Sequence, residues 1–164
     1  MKIIQHSEIT PADIDEIIRI KSIAWPYPYE SQLNWLNNNL KAEDLHLLLQ
    51  KGNRSVAYLN LIDIKVEVDN KIENAFGIGN VCAIEKGKGY GNELMKLTNQ
   101  FINKESKPGL LFCKSELVCF YKKFNWVVIE KKKLRLDINN KNIETMFFNF
   151  DQKVELLTYH GNSF

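Results

Sequence analysis

A glycine-rich turn between a predicted strand and a predicted helix is the feature that most constrains this chain. The segment is Val81-Cys82-Ala83-Ile84-Glu85-Lys86-Gly87-Lys88-Gly89-Tyr90-Gly91-Asn92. Glycines let the backbone approach an anion closely, and the free amides and dipole of a helix N-terminus attract negative charge. The spacing matches neither the GxGxxG dinucleotide fingerprint nor the GK[ST] ending of a triphosphate P-loop. It predicts another kind of phosphate-binding turn, and the alternative is a structural turn with solvated lysines.

Length and composition predict one soluble globular domain, residues 1–164. The chain has 164 residues, of which 45% are hydrophobic and 26% are charged. A chain of this size can bury a core of its own, and these proportions are not those of a disordered or fibrous protein. The 22 basic residues, of which only Arg19, Arg54 and Arg135 are arginine, barely exceed the 20 acidic ones. Because arginine is the preferred reader of phosphate and guanine, we expect no nucleic-acid partner.

Membrane, secreted and metal-binding classes are also disfavoured. No apolar run reaches the 18 or more residues of a membrane span, and the start MKIIQHSEIT lacks the apolar centre of a signal peptide. We therefore expect a cytoplasmic protein without a membrane partner. The three cysteines form no CxxC, and the three histidines are far apart. The sequence predicts no metal site and buried, apolar cysteines: Cys82, Cys113 and Cys119.

Two helices are predicted near the start. Thr10 as the N-cap, Pro11 in the first turn and Asp13 near the positive end of the dipole indicate where the first helix begins. The prolines of Trp25-Pro26-Tyr27-Pro28-Tyr29 break it. Ser31 is then expected to cap a second helix, from Gln32 to Leu40.

The rest of the chain predicts a mixed α/β fold. Leu45–Leu49, Ser55–Val68 and Ile72–Ile84 are rich in apolar and β-branched residues and are separated by turns at Gly52-Asn53 and Asp69-Asn70. Further strands are expected around an Asn139-Asn140 turn, at Leu134–Ile138 and Thr145–Phe150. The order of elements predicts a mixed, mostly antiparallel sheet of about six or seven strands flanked by about four helices.

A second segment makes the interpretation of the glycine turn more specific. Glu116-Leu117-Val118-Cys119-Phe120-Tyr121-Lys122-Lys123-Phe124-Asn125-Trp126 predicts a short amphipathic helix ended by a left-handed Asn125 and followed by a strand. Together the two segments resemble the GNAT superfamily of acyl-CoA dependent N-acetyltransferases. Its first signature runs V-x-P-x-x-[RQ]-x-x-G-x-[GA], and its second ends in a Tyr followed by a Gly-aromatic pair. The resemblance is close over roughly residues 44 to 131.

The resemblance implies a cofactor, acetyl-CoA, and roles for individual residues. The strand residues Val81, Cys82 and Ala83 would bond the pantetheine arm. The pyrophosphate would be held by the amides of the turn, which are those of Lys86, Gly87, Lys88, Gly89, Tyr90, Gly91 and Asn92. Tyr121 falls where the family has its general acid, and a phenol with a pKa of about 10 can protonate a departing thiolate at neutral pH. A buried structural tyrosine is the alternative.

The chain departs from the family pattern at a few positions. Ala83 replaces the usual Pro, Lys86 the usual Arg or Gln, and Asn125 the usual Gly. A lysine cannot bind phosphate through two parallel hydrogen bonds as arginine does. Lys114 or Ser115 stands where the family often has Asn, which leaves open how the cofactor arm is gripped there.

The implied reaction is direct transfer of an acetyl group to a primary amine of a small molecule, with backbone amides near Cys82 meeting the oxyanion. Glu73, Glu116, His46 or a terminal carboxylate could serve as the general base, and none is assigned. Trp25, Tyr27 and Tyr29 are candidate substrate contacts, as an aromatic cluster that could stack on a ring or hold a cation. The tail resembles that of aminoglycoside 2-prime-N-acetyltransferases, which implies a substrate contact at Phe164; a disordered tail is the alternative.

Two other hypotheses remain open. The first is a non-catalytic acyl-CoA sensor or protein-binding domain on the same fold. The second is a nucleic-acid or protein binder that uses Lys122, Lys123 and Lys131–Lys133, although such a cluster is usually a solvated face. Edge strands expected near Asp63 and Thr145 could pair two subunits into a homodimer.

Overall fold

The chain begins with the strand and helix that its sequence predicts. A computed structural model describes residues 1–138, 142–150 and 154–164. Helix α1 spans Pro11–Ala24, and Thr10 and Asp13 form a reciprocal capping box at its start. Helix α2 spans Tyr29–Asn39. The predicted cap at Ser31 is wrong, because the carbonyl of Pro28 already accepts the first helical bond from Gln32 N at 3.1 Å.

The remaining elements confirm a mixed, mostly antiparallel sheet. Helices α3 and α4 span Tyr90–Lys104 and Val118–Lys122. Parallel pairing occurs only twice among the described strands, between β4 and β5 and between β7 and β9. The nine strands are β1 Lys2–Gln5, β2 Leu45–Lys51, β3 Arg54–Val68, β4 Lys71–Ala83, β5 Gly109–Lys114, β6 Val127–Val128, β7 Leu134–Leu136, β8 Ile143–Phe148 and β9 Leu157–Tyr159.

The described residues form two compact units. The first unit comprises Met1–Ile62 and Asn80–Thr98, and the second comprises Asp63–Gly79 and Asn99–Phe164. Strands β3 and β4 each contribute residues to both. Within this part of the chain, no helix is long and apolar enough to cross a membrane.

In the first unit, β1, β2 and β3 are antiparallel neighbours, and β4 follows β3. Apolar side chains of α1 and α2 pack on one face of these strands. The apolar stripe of α1 has its side chains Ile17, Ile18 and Ile20 buried, and a wide apolar face of this kind gains roughly 25 cal/mol for each Å² removed from water. The core on this face comprises Ile4, Ile17, Ile18, Ile20, Leu36, Leu40, Leu48, Tyr58 and Cys82.

In the second unit, β4 pairs with β5, β5 with β8, and β8 with β6. The turn from β3 to β4 has positive φ at both Asp69 (49°) and Asn70 (67°), as a two-residue type I′ hairpin requires. On β3, exposed Asp63 and Lys65 alternate with buried Ile64 and Val66, so this segment has one polar face.

One of the two predicted edge strands, at Thr145, is not an edge, whereas the edge expected near Asp63 stays a prediction. Thr145 lies on β8, which has β5 on one side and β6 on the other. Its side chain is therefore buried, and β8 offers no free edge to a second subunit there. The Asp63 carboxylate accepts a hydrogen bond from Lys107 at 2.6 Å. The predicted Asn139-Asn140 turn lies outside the described residues.

The C-terminal segment contains a strand that the sequence analysis missed. Strand β9 pairs with β3 at Glu67 and Val68, and Leu157 is fully buried. Beyond β9, the Phe164 ring contacts Phe112 at 5.0 Å and Tyr159 at 5.7 Å between centroids. The alternative of a disordered tail is therefore wrong for these residues.

Gly77 leaves the space that the Phe164 ring fills. A Cβ at Gly77 would lie 2.5 Å from the ring. We expect Gly77→Ala to destabilise the protein by about 1–3 kcal/mol, because the ring must move out of a packed position. The same substitution in a Phe164→Ala background should be clearly less destabilising, as thermal and denaturant unfolding of the four proteins would show. Equal effects in both backgrounds would contradict this packing.

Candidate functional site

The glycine turn between β4 and α3 has the backbone geometry that its sequence predicts. Gly87 and Gly89 have φ of 80° and 77°, a left-handed conformation that strains other residues. A Cβ built on either glycine meets no atom within 4 Å, so the surface of the turn is open to a ligand. Lys86 and Lys88 are both exposed beside it. The turn thus combines free space, positive charge and a helix N-terminus.

Helix α3 is anchored so that its N-terminus stays at the turn. Leu94, Met95 and Thr98 are fully buried, and Glu93 N donates to Gly89 O at 3.0 Å. The Glu93 carboxylate also pairs with Lys51 at 2.8 Å. The first-turn amides of Tyr90, Gly91 and Asn92 come before this first helical bond and suit an anion.

Strand β4 leaves regular geometry just before the predicted cofactor strand. Asn80 has φ of 54°, and its Nδ2 donates to Asn60 Oδ1 on β3 at 2.7 Å. A left-handed residue inside a strand redirects the backbone groups that follow it, here those of Val81 and Cys82. Asn60 is fully buried, and its Nδ2 is the one buried side-chain polar atom without a hydrogen-bond partner in the part of the chain that the structure describes.

We expect Asn80→Ala to destabilise the protein by about 2 kcal/mol. About 1 kcal/mol comes from the lost hydrogen bond to Asn60, and about 1 kcal/mol from placing alanine in a left-handed conformation. Asn80→Gly is the matched control, because it loses the bond without the conformational strain. Urea unfolding should therefore place the glycine variant above the alanine variant, and equal stabilities would contradict the role assigned to the backbone.

Two of the three cysteines, Cys82 and Cys113, are not suited to act as nucleophiles. Burial raises the pKa of the Cys82 thiol to about 12 and that of Cys113 to about 11, so both stay protonated at neutral pH. Cys119 is exposed, and the prediction that all three cysteines are buried is wrong for it. Cys119 is exposed because it lies on the solvent-facing side of the short helix α4, together with the exposed Lys122.

Helix α4 holds Tyr121 in the second unit, where its side chain is 6% exposed. The helix ends as predicted, with Asn125 at φ 63° in place of the family's glycine. Asn99 of α3 fixes this end: its Nδ2 donates to Phe124 O at 2.7 Å, and its Oδ1 accepts from Trp126 Nε1 at 3.0 Å. Tyr121 is thus placed by a well-anchored helix end.

The aromatic residues between α1 and α2 differ in their surroundings. Trp25 packs partly buried against the core of the first unit, and its carbonyl accepts from Gln32 Nε2 at 2.7 Å. Tyr27 is 64% exposed. The Tyr29 hydroxyl donates to Asp15 at 2.7 Å, and this bond raises the pKa of Tyr29. Phe164, the fourth candidate substrate contact, belongs to the second unit.

The candidate bases differ in exposure. Glu73 is half-buried on β4, and Glu116 is exposed. His46 is fully buried on β2. Burial, together with His6 and Lys21, lowers its pKa to about 4, so its imidazole is neutral at neutral pH. No group of three or more metal-ligating side chains occurs among the described residues.

Two lysines of the predicted cluster, Lys132 and Lys133, form ion pairs or hydrogen bonds within the protein. Lys132 pairs with Glu130 at 2.8 Å. Lys133 donates to Val154 O and to Glu155 at 3.0 and 3.1 Å. Charges already paired within the fold offer less to a nucleic-acid backbone.

A family model for the acetyltransferase (GNAT) domain matches residues 5–129. The chain belongs to the GNAT acetyltransferase family. The match begins well before the roughly 44–131 segment on which the sequence resemblance rests. It therefore includes α1, α2 and the aromatic residues between them. A comparison with curated proteins gives no match.

Solved structures show the same fold at low sequence identity. An acyl-CoA N-acyltransferase from Pseudomonas aeruginosa is 18% identical with a TM-score of 0.63, over 89% of this chain and 96% of that one. The GNAT family N-acetyltransferase YhbS from Escherichia coli, in complex with CoA, is 12% identical with a TM-score of 0.66, over 97% and 89%. A GNAT family acetyltransferase from Brucella melitensis, in complex with acetyl-CoA, is 15% identical with a TM-score of 0.58, over 97% and 95%.

Sequence reasoning about this GNAT chain missed four polar residues near the candidate cofactor strand, of which three are buried and Asn80 is half-buried. Lys21 is 2% exposed, and its ammonium lies 4.1 Å from the centroid of the Trp35 ring. Its position three and four residues after Ile18 and Ile17 on the apolar stripe was a usable signal. Asn60 and Tyr58 lie within an apolar strand, where polar side chains need partners. Asn80 directly follows Gly79, and the two glycines within β4, Gly77 and Gly79, are a sequence signal for an irregular strand.

Proposed function

We propose that this GNAT protein transfers an acetyl group from acetyl-CoA to a primary amine of a small molecule by direct attack. The whole chain, residues 1–164, would act as a single acyltransferase domain. The observation that carries the proposal is the open, left-handed glycine turn that joins an interrupted strand to an anchored helix. Two solved neighbours hold CoA and acetyl-CoA, which supports acetyl-CoA as the cosubstrate.

The turn and the strand before it would hold the cosubstrate. Amides from Lys86 to Asn92 would donate to the pyrophosphate, and the ammonium groups of Lys86 and Lys88 would add charge. Backbone groups of Val81, Cys82 and Ala83 would bond the pantetheine arm. The left-handed Asn80 supports this, because its positive φ interrupts regular strand geometry directly before these residues.

Tyr121 would donate the proton that the departing thiolate needs. Three features support this role: its place in the family's second motif, its 6% exposure and its rigid helix end. The protonated state of the Cys82 thiol supports direct attack over a thiol intermediate. Trp25, Tyr27, Tyr29 and Phe164 would contact the acceptor, as the family match over α1 and α2 supports for the first three.

The cofactor site can be tested by calorimetric titration with acetyl-CoA. We expect the wild type to bind, and a Lys86→Ala, Gly89→Glu double variant to bind at least about tenfold more weakly, because it removes one positive charge and adds a negative one at the turn. A Lys41→Ala, Gly52→Glu variant is the matched control. It makes the same charge change at another left-handed glycine, φ 60°, of the first unit. Equal weakening in both variants, or no binding by the wild type, would contradict the site.

The general acid can be tested with Tyr121→Phe. We expect turnover to fall by about 100-fold at neutral pH while acetyl-CoA affinity stays unchanged, because only the proton donor is removed. Free-thiol release across a panel of amines measures the rate, and calorimetry measures the affinity. Unchanged turnover would rule out Tyr121 as the acid. Tight acetyl-CoA binding by the wild type without thiol release from any amine would favour the non-catalytic sensor.

A further inference from the structure

Three side chains in the first unit form a continuous hydrogen-bonded chain. The Tyr58 hydroxyl lies 2.9 Å from His46 Nδ1, and His46 Nε2 lies 2.9 Å from His6 Nδ1. Tyr58 and His46 are 0% exposed, whereas His6, in the short 3₁₀ turn after β1, is partly exposed. The chain therefore runs from the buried core to the protein surface.

The inner end of this chain lies beside the candidate cofactor strand. Ile84 N of the chain after β4 donates to Val56 O of β3 at 2.9 Å, and Asn80 bonds to Asn60. In this antiparallel register, Tyr58 stands opposite Cys82. Both side chains belong to the same buried core. Burial raises the pKa of Tyr58, and the charge interaction with Cys82 raises it further.

Two neutral proton arrangements satisfy both hydrogen bonds. In the first, Tyr58 donates to His46 Nδ1, His46 Nε2 donates to His6 Nδ1, and His6 Nε2 carries a proton. In the second, His6 Nδ1 donates to His46 Nε2, and His46 Nδ1 donates to the Tyr58 oxygen. The first becomes the second when one proton arrives at the Tyr58 oxygen and one leaves His6 Nε2, with no charge left inside.

We propose that the Tyr58–His46–His6 chain carries the proton released by the acceptor amine from the acetyl-transfer site to solvent. The inference rests on the proposed function. It supplies a general base for the reaction, a role to which no residue has yet been assigned. Before attack, one N–H bond of the bound ammonium breaks and its proton goes to Tyr58. The second amine proton, lost as the C–N bond forms, balances the proton that Tyr121 gives to the departing thiolate. The Tyr58 proton passes to His46, that of His46 Nε2 passes to His6, and that of His6 Nε2 passes to water.

The electrostatic surroundings favour movement of these protons in concert. Burial, His6 and Lys21 all lower the pKa of His46, and Asp13 opposes them only in part. Burial also lowers the pKa of Lys21, to about 8, and Cys82 lies close enough to raise it slightly. A charged His46 would therefore be costly, whereas exchange between two neutral tautomers creates no buried charge.

The experiment compares two amines at one pH: an alkylamine that is protonated there and an amine of low basicity that is mostly neutral. The variants are His6→Asn, which keeps a polar group beside His46 but cannot exchange tautomers, and Tyr58→Phe, which cuts the inner end. Because His6 is partly exposed, the first variant should fold normally. His160→Asn is the matched control, at an exposed histidine of the second unit whose Nδ1 lies 3.1 Å from the Asp137 carboxylate.

We expect His6→Asn and Tyr58→Phe each to lower kcat/KM about tenfold to a hundredfold with the protonated amine, and much less with the neutral one. Acetyl-CoA affinity and thermal stability of His6→Asn should match those of His160→Asn. Equal losses with both amines would indicate a structural role and overturn the relay, as would full activity of the variants. A wild type that binds acetyl-CoA but acetylates neither amine would instead overturn the proposed function.

Discussion

The left-handed backbone at Asn80 is the constraint on which the candidate site depends. A strand residue can hold positive φ only where its surroundings compensate for it, and here the compensation is the partly buried hydrogen bond to Asn60. That bond fixes where the backbone of Val81 and Cys82 points. The turn that follows also has left-handed residues, Gly87 and Gly89. Glycine adopts this conformation without strain, and the surface beside both glycines is open. Local conformation, rather than any single reactive side chain, defines this part of the protein.

The sequence predicted those parts of the fold in which local signals agree. The N-cap at Thr10, the turn at Asp69-Asn70 and the left-handed Asn125 were each predicted and are present. In each case the residues that choose the conformation are adjacent in sequence. The start of α2 was misplaced because a serine cap signal competed with Pro28, whose fixed φ already suits a helix entry.

Features that depend on distant residues were not predictable in this way. Strand β9 pairs with β3 across about ninety residues of sequence, and no local pattern marks its partner. The buried state of Thr145 depends on β6, which has only two residues. Similarly, nothing near Asn60 in the sequence indicates Asn80. Polar residues within apolar strands indicate that some partner must exist, but only the register identifies it.

Buried polar groups are the strongest physical sign of function in the first unit. An apolar side chain at Tyr58, His46 or Lys21 would pack there without a desolvation penalty, since each is almost fully removed from water. Stability alone therefore does not explain why the core under α1 and α2 contains a phenol, an imidazole and an ammonium group. A site that must accept a proton, keep its own charges low and exclude water does require such groups. This argument connects the helices that cover the core to the chemistry proposed for the strand beneath them.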